Sequence, residues 1–462
     1  MYERTEPAQH PLKHARKSLG LSQVAYARLI ARELKEELGF EPQVRNHHQV
    51  LRWESGTVPQ RGVQRAISRI HGISDGELER HGWPNVLYLA IGDRALLNEP
   101  WTPLGAINAL NSTARRARAP RSFAEVSGPV LRGQVHAALA ALRHPQPISA
   151  RDQGPLVDLD TLPHIETRIE ALELQEVSSP STPLALYYGA VTEHQLVTCH
   201  LTRSGYDNKT AAWLLSLASR TAAVCGWLSI CLGEYAAATS HYLAALRAAA
   251  ATGSRKQAVS CMAELAFLQT EAGDPQDALF LVRAARAAGS RLSPRRRAVL
   301  YAREADALAR LNDLDALRAL ELAERTLALA APYELEVSLL NIDADWLAER
   351  TGRARLHLGQ HREALRHFAT ILDTGSVSDL NTIHSPRATG RLLHPVDAQL
   401  AIGEIDAAAQ TAHRAIAIAG TLPSALAHQY QKRFAIHRSQ SPVNDLLSLL
   451  KEHQALHETT PH

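Results

Sequence analysis

Between positions 45 and 54 the chain reads RNHHQVLRWE, which gathers guanidinium, amide and imidazole groups in one short stretch. Taken as a helix, Val50 and Trp53 are three apart and share an inner face. Asn46, His47, Gln49 and Arg52 then fall largely on the other side, beside His48. Such a row of donors and acceptors is what a hydrogen-bonding surface needs, and it is also what an ordinary solvated helix carries. Adjacent helical residues point about 100° apart, so His47 and His48 are not expected to hold one metal ion together. His357 and His361 have i, i+4 spacing on one helical face, with His367 following. No acidic partner is placed as a zincin requires, and His361 falls at a turn between repeats. No nucleophile elbow, P-loop, dinucleotide-binding glycine motif or zincin motif is read. The expectation is a protein that is not an enzyme and carries no metal and no cofactor.

The elements that must position these groups follow from caps and periodicity. Leu12–Leu19 makes a short first helix ended by Gly20. Ser22 is a good N-cap for a second, SQVAYARLIARELKEEL, with Val24, Ala27, Ile30, Leu34 and Leu38 as its inner face. Gly39 sits where a left-handed C-terminal cap belongs. After the loop FEPQV comes the polar helix, closed by Gly56 and Pro59. A further helix, Val63 to Ile70, uses Val63, Ala66, Ile67 and Ile70. Residues 1–121 hold 18 Lys+Arg against 12 Asp+Glu, whereas the rest holds 32 against 35. A basic head on a slightly acidic body points to a polyanion partner for the head.

Further along, one template recurs. Gly233 is followed by Tyr235, Ala238, Tyr242, Ala245 and Leu246. Gly273 is followed by Pro275, Ala278, Val282 and Ala285. Gly359 is followed by His361, Ala364, Phe368, Ile371 and Leu372, and Gly403 by Ile405, Ala408, Ala412, Ala415 and Ile416. A degenerate copy lies near Asn312. The small residue five after the anchor lets two helices approach, and the larger ones fill between neighbours. Anchors are spaced by 40, 39, 47 and 44 residues, longer than the ~34 of a regular tetratricopeptide repeat. Hairpins of this kind bury their apolar faces by stacking and leave a concave groove. Tyr187, Tyr188, His194, Arg220, Tyr242 and Arg303 are polar or aromatic side chains suited to such a groove or to plain packing.

The chain has 462 residues, 45% apolar and 21% charged, with a formal charge of +3, which excludes a disordered class. No run is expected to reach the ~18 to 20 apolar residues of a membrane span. The N-terminus lacks an apolar h-region, so no secretory signal is expected. Cys199, Cys225, Cys231 and Cys261 form no CxxC pair, which favours a reducing cytoplasm over zinc or disulfides. Strand signals are scarce. The expected fold is all-α in three parts: a compact head over 1–82, a helical connecting region with linkers over 83–183, and a helical array over 184–450. Loops are expected at Arg143–Pro163 and Ser178–Pro183. The cluster Arg115, Arg116, Arg118 and Arg121 suits either phosphate contacts or a solvated linker.

The order LxxARKxxGLSQ, then VLRWESGTVP, resembles the Cro/C1-type (XRE) helix-turn-helix family. In that family a Ser-Gln pair opens the second helix and W-E-x-G ends the recognition helix. Here these are Ser22-Gln23 and Trp53-Glu54-Ser55-Gly56. The span between them is longer than in compact phage repressors, through a longer second helix and its loop. The resemblance implies that His47, His48 and Arg52, with Gln49 and Asn46 beside them, face base edges in the major groove. Arg52 would pair bidentately with guanine. Gln23 is similar to the family's phosphate- and base-contacting glutamine, and Arg16, Lys17 and Arg45 would clamp phosphates. Glu54 would cap or pair within the fold.

The array is similar to tetratricopeptide repeats. The head, the WTP segment, RSFAEVSGPVL and GWLSICLGEYAAATSHYLAALRAA together resemble actinobacterial regulators that couple an XRE-type head to a tetratricopeptide-like body. That resemblance implies a cytoplasmic, nucleoid-associated, dimeric transcription regulator binding a double-stranded operator, often controlling secondary metabolism or development. Its repeat domain would dimerise, sense a peptide or small-molecule effector, or both. The alternative is a tetratricopeptide adaptor that binds a protein partner and reads no DNA.

Overall fold

In a computed structural model, residues 11–36, 39, 46–87, 94–118, 123, 126–178, 183–289, 291–331, 342–369, 372, 390–419, 422 and 424–459 are described. Among them the chain is all-helical, with no strand beyond two isolated bridges, Arg151 to Tyr206 and Leu156 to Gly205.

The head begins with α1 (Pro11–Ser18), α2 (Gln23–Glu36), α3 (His47–Glu54), α4 (Arg61–Ile70) and α5 (Asp75–His81). The Ser22 hydroxyl accepts from the Ala25 amide at 3.2 Å, which caps α2. Leu12, Ile30, Leu34, Val50, Val63, Ala66 and Ile67 are buried together. The inner face of α2 differs from expectation at one step. Val24 is 43% exposed, and Tyr26 is fully buried in its place. Its phenol meets His71 Nε2 at 2.8 Å, so the ring can leave water without an orphaned hydroxyl. Leu38 and the loop after Gly39 lie outside the described residues.

Then come α6 (Arg94–Asn98), α7 (Pro103–Arg116), α8 (Gly128–Arg143) and α9 (Thr161–Ser178). On α7, Leu104 is 67% exposed and Ala106, Ala109 and Leu110 form the inner face. This region does more than connect. α7 packs on α10 (Pro183–Arg203) and α12 (Tyr235–Ala251), and α8 packs on α12 and α14 (Pro275–Ala288). One hydrophobic core runs from Leu12 in the head to Ala354.

The remaining helices are α11 (Asn208–Cys231), α13 (Arg255–Ala272), α15 (Pro294–Arg310), α16 (Asp315–Leu327), α17 (Ala344–His357), α18 (His361–His367), α19 (Leu393–Ala401), α20 (Ile405–Ala419), α21 (Ser424–Phe434) and α22 (Ser441–Thr459). α11 to α20 pair in sequence as hairpins, each odd-numbered helix with the next even one. The first helices also touch in succession: α11 meets α13, α13 meets α15, α15 meets α17, and α17 meets α19. The hairpin turns sit at the template anchors. Gly233, Gly359 and Gly403 have φ of 77°, 75° and 86°. The degenerate anchor Asn312 has φ 60°, a left-handed conformation that asparagine tolerates. The small template residues Ala238, Ala278, Ala364 and Ala408 are fully buried.

Contrary to expectation, one described helix is long and apolar enough to cross a membrane. α11 reaches a mean hydropathy of 1.4, with 67% of that window buried inside the molecule. Its apolar length is used by packing between α10 and α12.

Candidate functional site

The first candidate surface is the outer face of α3. Val50 is fully buried and Trp53 is 8% exposed, which holds the helix on α1 and α2. Asn46, His47, His48 and Arg52 are exposed, and Gln49 is half-buried. Asn46 is the N-cap residue, yet its side chain makes no capping bond. The His47 and His48 rings do not diverge as expected, because their centroids lie 4.1 Å apart. Among the described residues no group of three metal-type ligands exists. Arg45 lies outside the described residues.

Two residues expected at the outer surface are turned inward. Arg16 is 7% exposed. Its Nε donates to Glu54 Oε1 at 2.6 Å and its Nη1 to the Leu21 carbonyl at 2.5 Å. Gln23 Nε2 donates to Glu54 Oε2 at 2.7 Å. Arg16 is therefore a strut between α1 and α3, not a phosphate clamp, and the amide of Gln23 is committed to the same carboxylate. Glu54, 8% exposed, pairs within the fold as expected. Lys17 is exposed. Lys17, Arg28 and Arg52 take part in no ion pair among the described residues. In the later basic cluster, Arg116 lies over Phe123 at 4.6 Å and Arg118 reaches Gln195 at 3.4 Å, while Arg121 lies outside the described residues.

Contrary to the expectation that no G-x-S-x-G occurs, the string Gly72-Ile73-Ser74-Asp75-Gly76 satisfies it. Its serine caps α5: Ser74 Oγ accepts from the Glu77 amide, and Glu77 Oε2 accepts from the Ser74 amide at 2.8 Å. That is a capping box following another helix, without the strand a nucleophile elbow requires. The pair His357 and His361 is also split. His357 ends α17, Gly359 turns the chain, and His361 opens α18, so the two do not share a helical face.

The second candidate is a cavity of about 1500 Å³ on the inner side of the hairpins, walled mainly by α11, α13, α15, α17, α19 and α21. Of the side chains suggested for such a groove, Arg220, Tyr242 and Arg303 line it. Tyr187 is instead buried, donating to the Ala117 carbonyl at 2.9 Å, and Tyr188 is exposed. His194 is fully buried between Thr113 and Thr221.

Phe267 lines the cavity. The guanidiniums of Arg303, Arg350 and Arg353 lie 4.2, 5.3 and 5.2 Å from its ring centroid. Arg303 Nη2 donates to Glu264 at 3.0 Å. Arg353 pairs with Glu271, and Arg391 Nε with Glu349 at 2.5 Å. Asp306 is fully buried, 3.7 Å from Arg350 and 3.9 Å from Arg353. Burial pulls Arg350 down to about 10, against the pull of Glu349. Burial acts the same way on Arg353, but Glu271, Asp306 and Glu349 overcome it and hold its pKa up. Burial raises Asp306 above the ordinary carboxylate range in spite of these arginines. His357, on the same wall, is lowered to about 3 by burial and by Arg353.

Most of this cluster escapes sequence reasoning. A signal exists, because Glu264 and Glu271 are seven apart, as are Arg296, Arg303 and Arg310. Residues seven apart share a helical face. A charged stripe on the first helix of successive hairpins marks their common inner side. Comparison of the chain with family models, curated proteins and solved structures returned no match.

Proposed function

We propose that the chain is a sequence-specific DNA-binding transcription regulator, with a helix-turn-helix head and a tetratricopeptide-like body that dimerises, senses a signal, or both. The observation that carries this reading is the division of α3: Val50 and Trp53 inward, Asn46, His47, His48 and Arg52 in solvent. A helix with its side chains is about 10–12 Å across, which fits the ~12 Å width of the major groove.

In this reading Arg52 and the two histidines face base edges, and Lys17 holds a phosphate. Gln49 and Asn46 supply further hydrogen bonds. Arg16, Gln23 and Glu54 set the angle of α3 from behind. A dimer would bind two related half-sites about one helical turn apart. A ligand that favours one arrangement of the heads would shift operator affinity by its differential binding to the two states. The stacked hairpins and their turn anchors support the tetratricopeptide-like reading of the body. The protein would then work in the cytoplasm, on the nucleoid.

The test is selection of bound duplexes from a random library by the purified full-length chain. A regulator enriches one short motif and retards it, with affinity falling steeply as salt rises. A chain that enriches no motif but captures a protein partner through the inner cavity is an adaptor, and the regulator reading fails.

A further inference from the structure

We infer that the inner cavity is an oxyanion site, taking a phosphate- or carboxylate-bearing ligand whose negative group seats on Arg303 and Arg350 beside Phe267. This deepens the sensing role proposed above, and only its regulatory consequence rests on that reading.

Charge distribution is the first argument. Beyond residue 121 the chain is net acidic, with 32 Lys+Arg against 35 Asp+Glu. Yet the cavity wall carries ten basic and six acidic side chains, so the positive charge of the body is concentrated where a ligand would sit.

The second argument is unmet hydrogen bonding. The Arg303 side chain is 4% exposed and spends Nη2 on Glu264, but Nε and Nη1 have no partner among the described residues. Arg350 is 6% exposed. Its approaches to Asp306 and Glu349 are both 3.7 Å, too long for hydrogen bonds, and its Nε and Nη1 are likewise unpartnered. Buried donors in folded proteins are nearly always satisfied. A guanidinium fork is best satisfied by an oxyanion, which takes two N–H groups at once. Two other forks on the wall are already filled: Arg433 grips Asp397 at 2.7 and 3.0 Å, and Arg220 grips Glu173 at 3.0 and 2.8 Å. The buried donors left over on Arg303 and Arg350 lie beside the Phe267 ring.

Third, the guanidiniums converge on one aromatic face. Three guanidiniums share one aromatic ring, and burial already weakens the proton affinity of Arg350. The nearby imidazoles of His357 and His394 are held neutral by burial and add no competing charge. Pockets for small molecules commonly measure ~300–1,000 Å³. The cavity, at about 1500 Å³, therefore leaves room for a body beyond the charged group. Because Arg303 lies on α15 and Arg350 on α17, a bound anion would link two successive hairpins.

The experiment titrates the full-length protein, without DNA, with sodium pyrophosphate and separately with citrate at low salt, by calorimetry. At least one anion should bind saturably, and which one does so separates phosphate from carboxylate chemistry. Affinity should fall about tenfold or more in Arg303→Gln and Arg350→Gln and stay unchanged in Arg318→Gln, on an exposed face. A second arm avoids variants that fail to fold. Hydrogen–deuterium exchange of the wild-type protein is mapped by peptide mass spectrometry, and the binding anion should slow exchange in α15 and α17 but not in α16, which carries Arg318. No saturable binding of either anion up to millimolar concentration overturns the inference, as does undiminished binding in well-folded variants or absence of protection. Since no DNA is present, these outcomes are independent of whether the head reads an operator.

Discussion

Arg16 and Glu54 form a buried ion pair at 2.6 Å across 38 residues of sequence, and it fixes the C-terminal end of α3 against α1. The side chains are 9% and 2% exposed, so solvent screens them little. Removing one partner leaves the other charge buried. Arg16→Met is expected to destabilise the protein by about 3–5 kcal/mol, and Arg16→Met with Glu54→Leu by clearly less. Urea unfolding of both variants checks this. A double variant no more stable than the single one would show that the pair is not the strut described.

Gly352 meets the ring of Phe368, so that an added Cβ would lie 2.6 Å from Cε1. Gly226 stands in the same relation to Tyr242, at 2.9 Å. Each glycine lies seven residues before its hairpin anchor and each aromatic nine after it. Glycine to alanine in an exposed helix gains about 1 kcal/mol. At these two sites the sign should reverse, with losses of about 1–3 kcal/mol from overpacking. Gly352→Ala combined with Phe368→Leu should recover part of the loss. Melting temperatures of the three variants decide the matter, and a stabilising Gly352→Ala would contradict the close approach.

These pairings mark what the chain makes legible and what it hides. The turns were readable because glycine and asparagine are the residues that accept a left-handed backbone. Gly273 departs from the pattern, with φ −118°. The two faces of α3 were readable because Val50 and Trp53 are its inward apolar anchors. Tyr26 is hidden in the sequence because its ring is apolar but its hydroxyl is polar, and the His71 partner that lets it be buried is 45 residues away. Arg16 and Gln23 read as surface contacts because their partner lies on another helix, and spacing within α1 or α2 carries no trace of Glu54. The same holds for the cavity, whose charges come from α13, α15 and α17 and only meet when the hairpins stack.

Acid should weaken the fold through buried imidazoles. His194 is fully buried and its pKa is lowered to about 4 by burial, partly offset by the Leu110 backbone. Against an ordinary value near 6.5, the folded state holds the ring neutral while the unfolded chain takes up a proton. This contribution is complete above about pH 6.5 and is lost as pH falls toward 4. One such group gives a slope of at most about 1.4 kcal/mol per pH unit. His241, 5.9 Å away, acts in the same direction. His194→Gln, which can still reach Thr113 and Thr221, should flatten the dependence between pH 7 and 5. Urea midpoints across that range measure it, and an unchanged slope would remove His194 from the account.

The roles proposed for the head divide cleanly by substitution. Arg52 is exposed and outside any ion pair among the described residues, so Arg52→Ala should leave stability within ~0.5 kcal/mol. On the enriched operator it should cost about 1–3 kcal/mol and relax preference at one base position. Lys17→Ala, if Lys17 holds a phosphate, should weaken all duplexes evenly and lower the salt slope by about one. Arg16→Met behaves differently again, because it loosens α3 itself: weakened binding should appear together with the lower urea midpoint. Titrating all three against operator and scrambled duplexes at two salt concentrations separates a base reader, a phosphate clamp and a strut. If Arg52→Ala leaves base preference untouched, the outward face of α3 is not the reading surface.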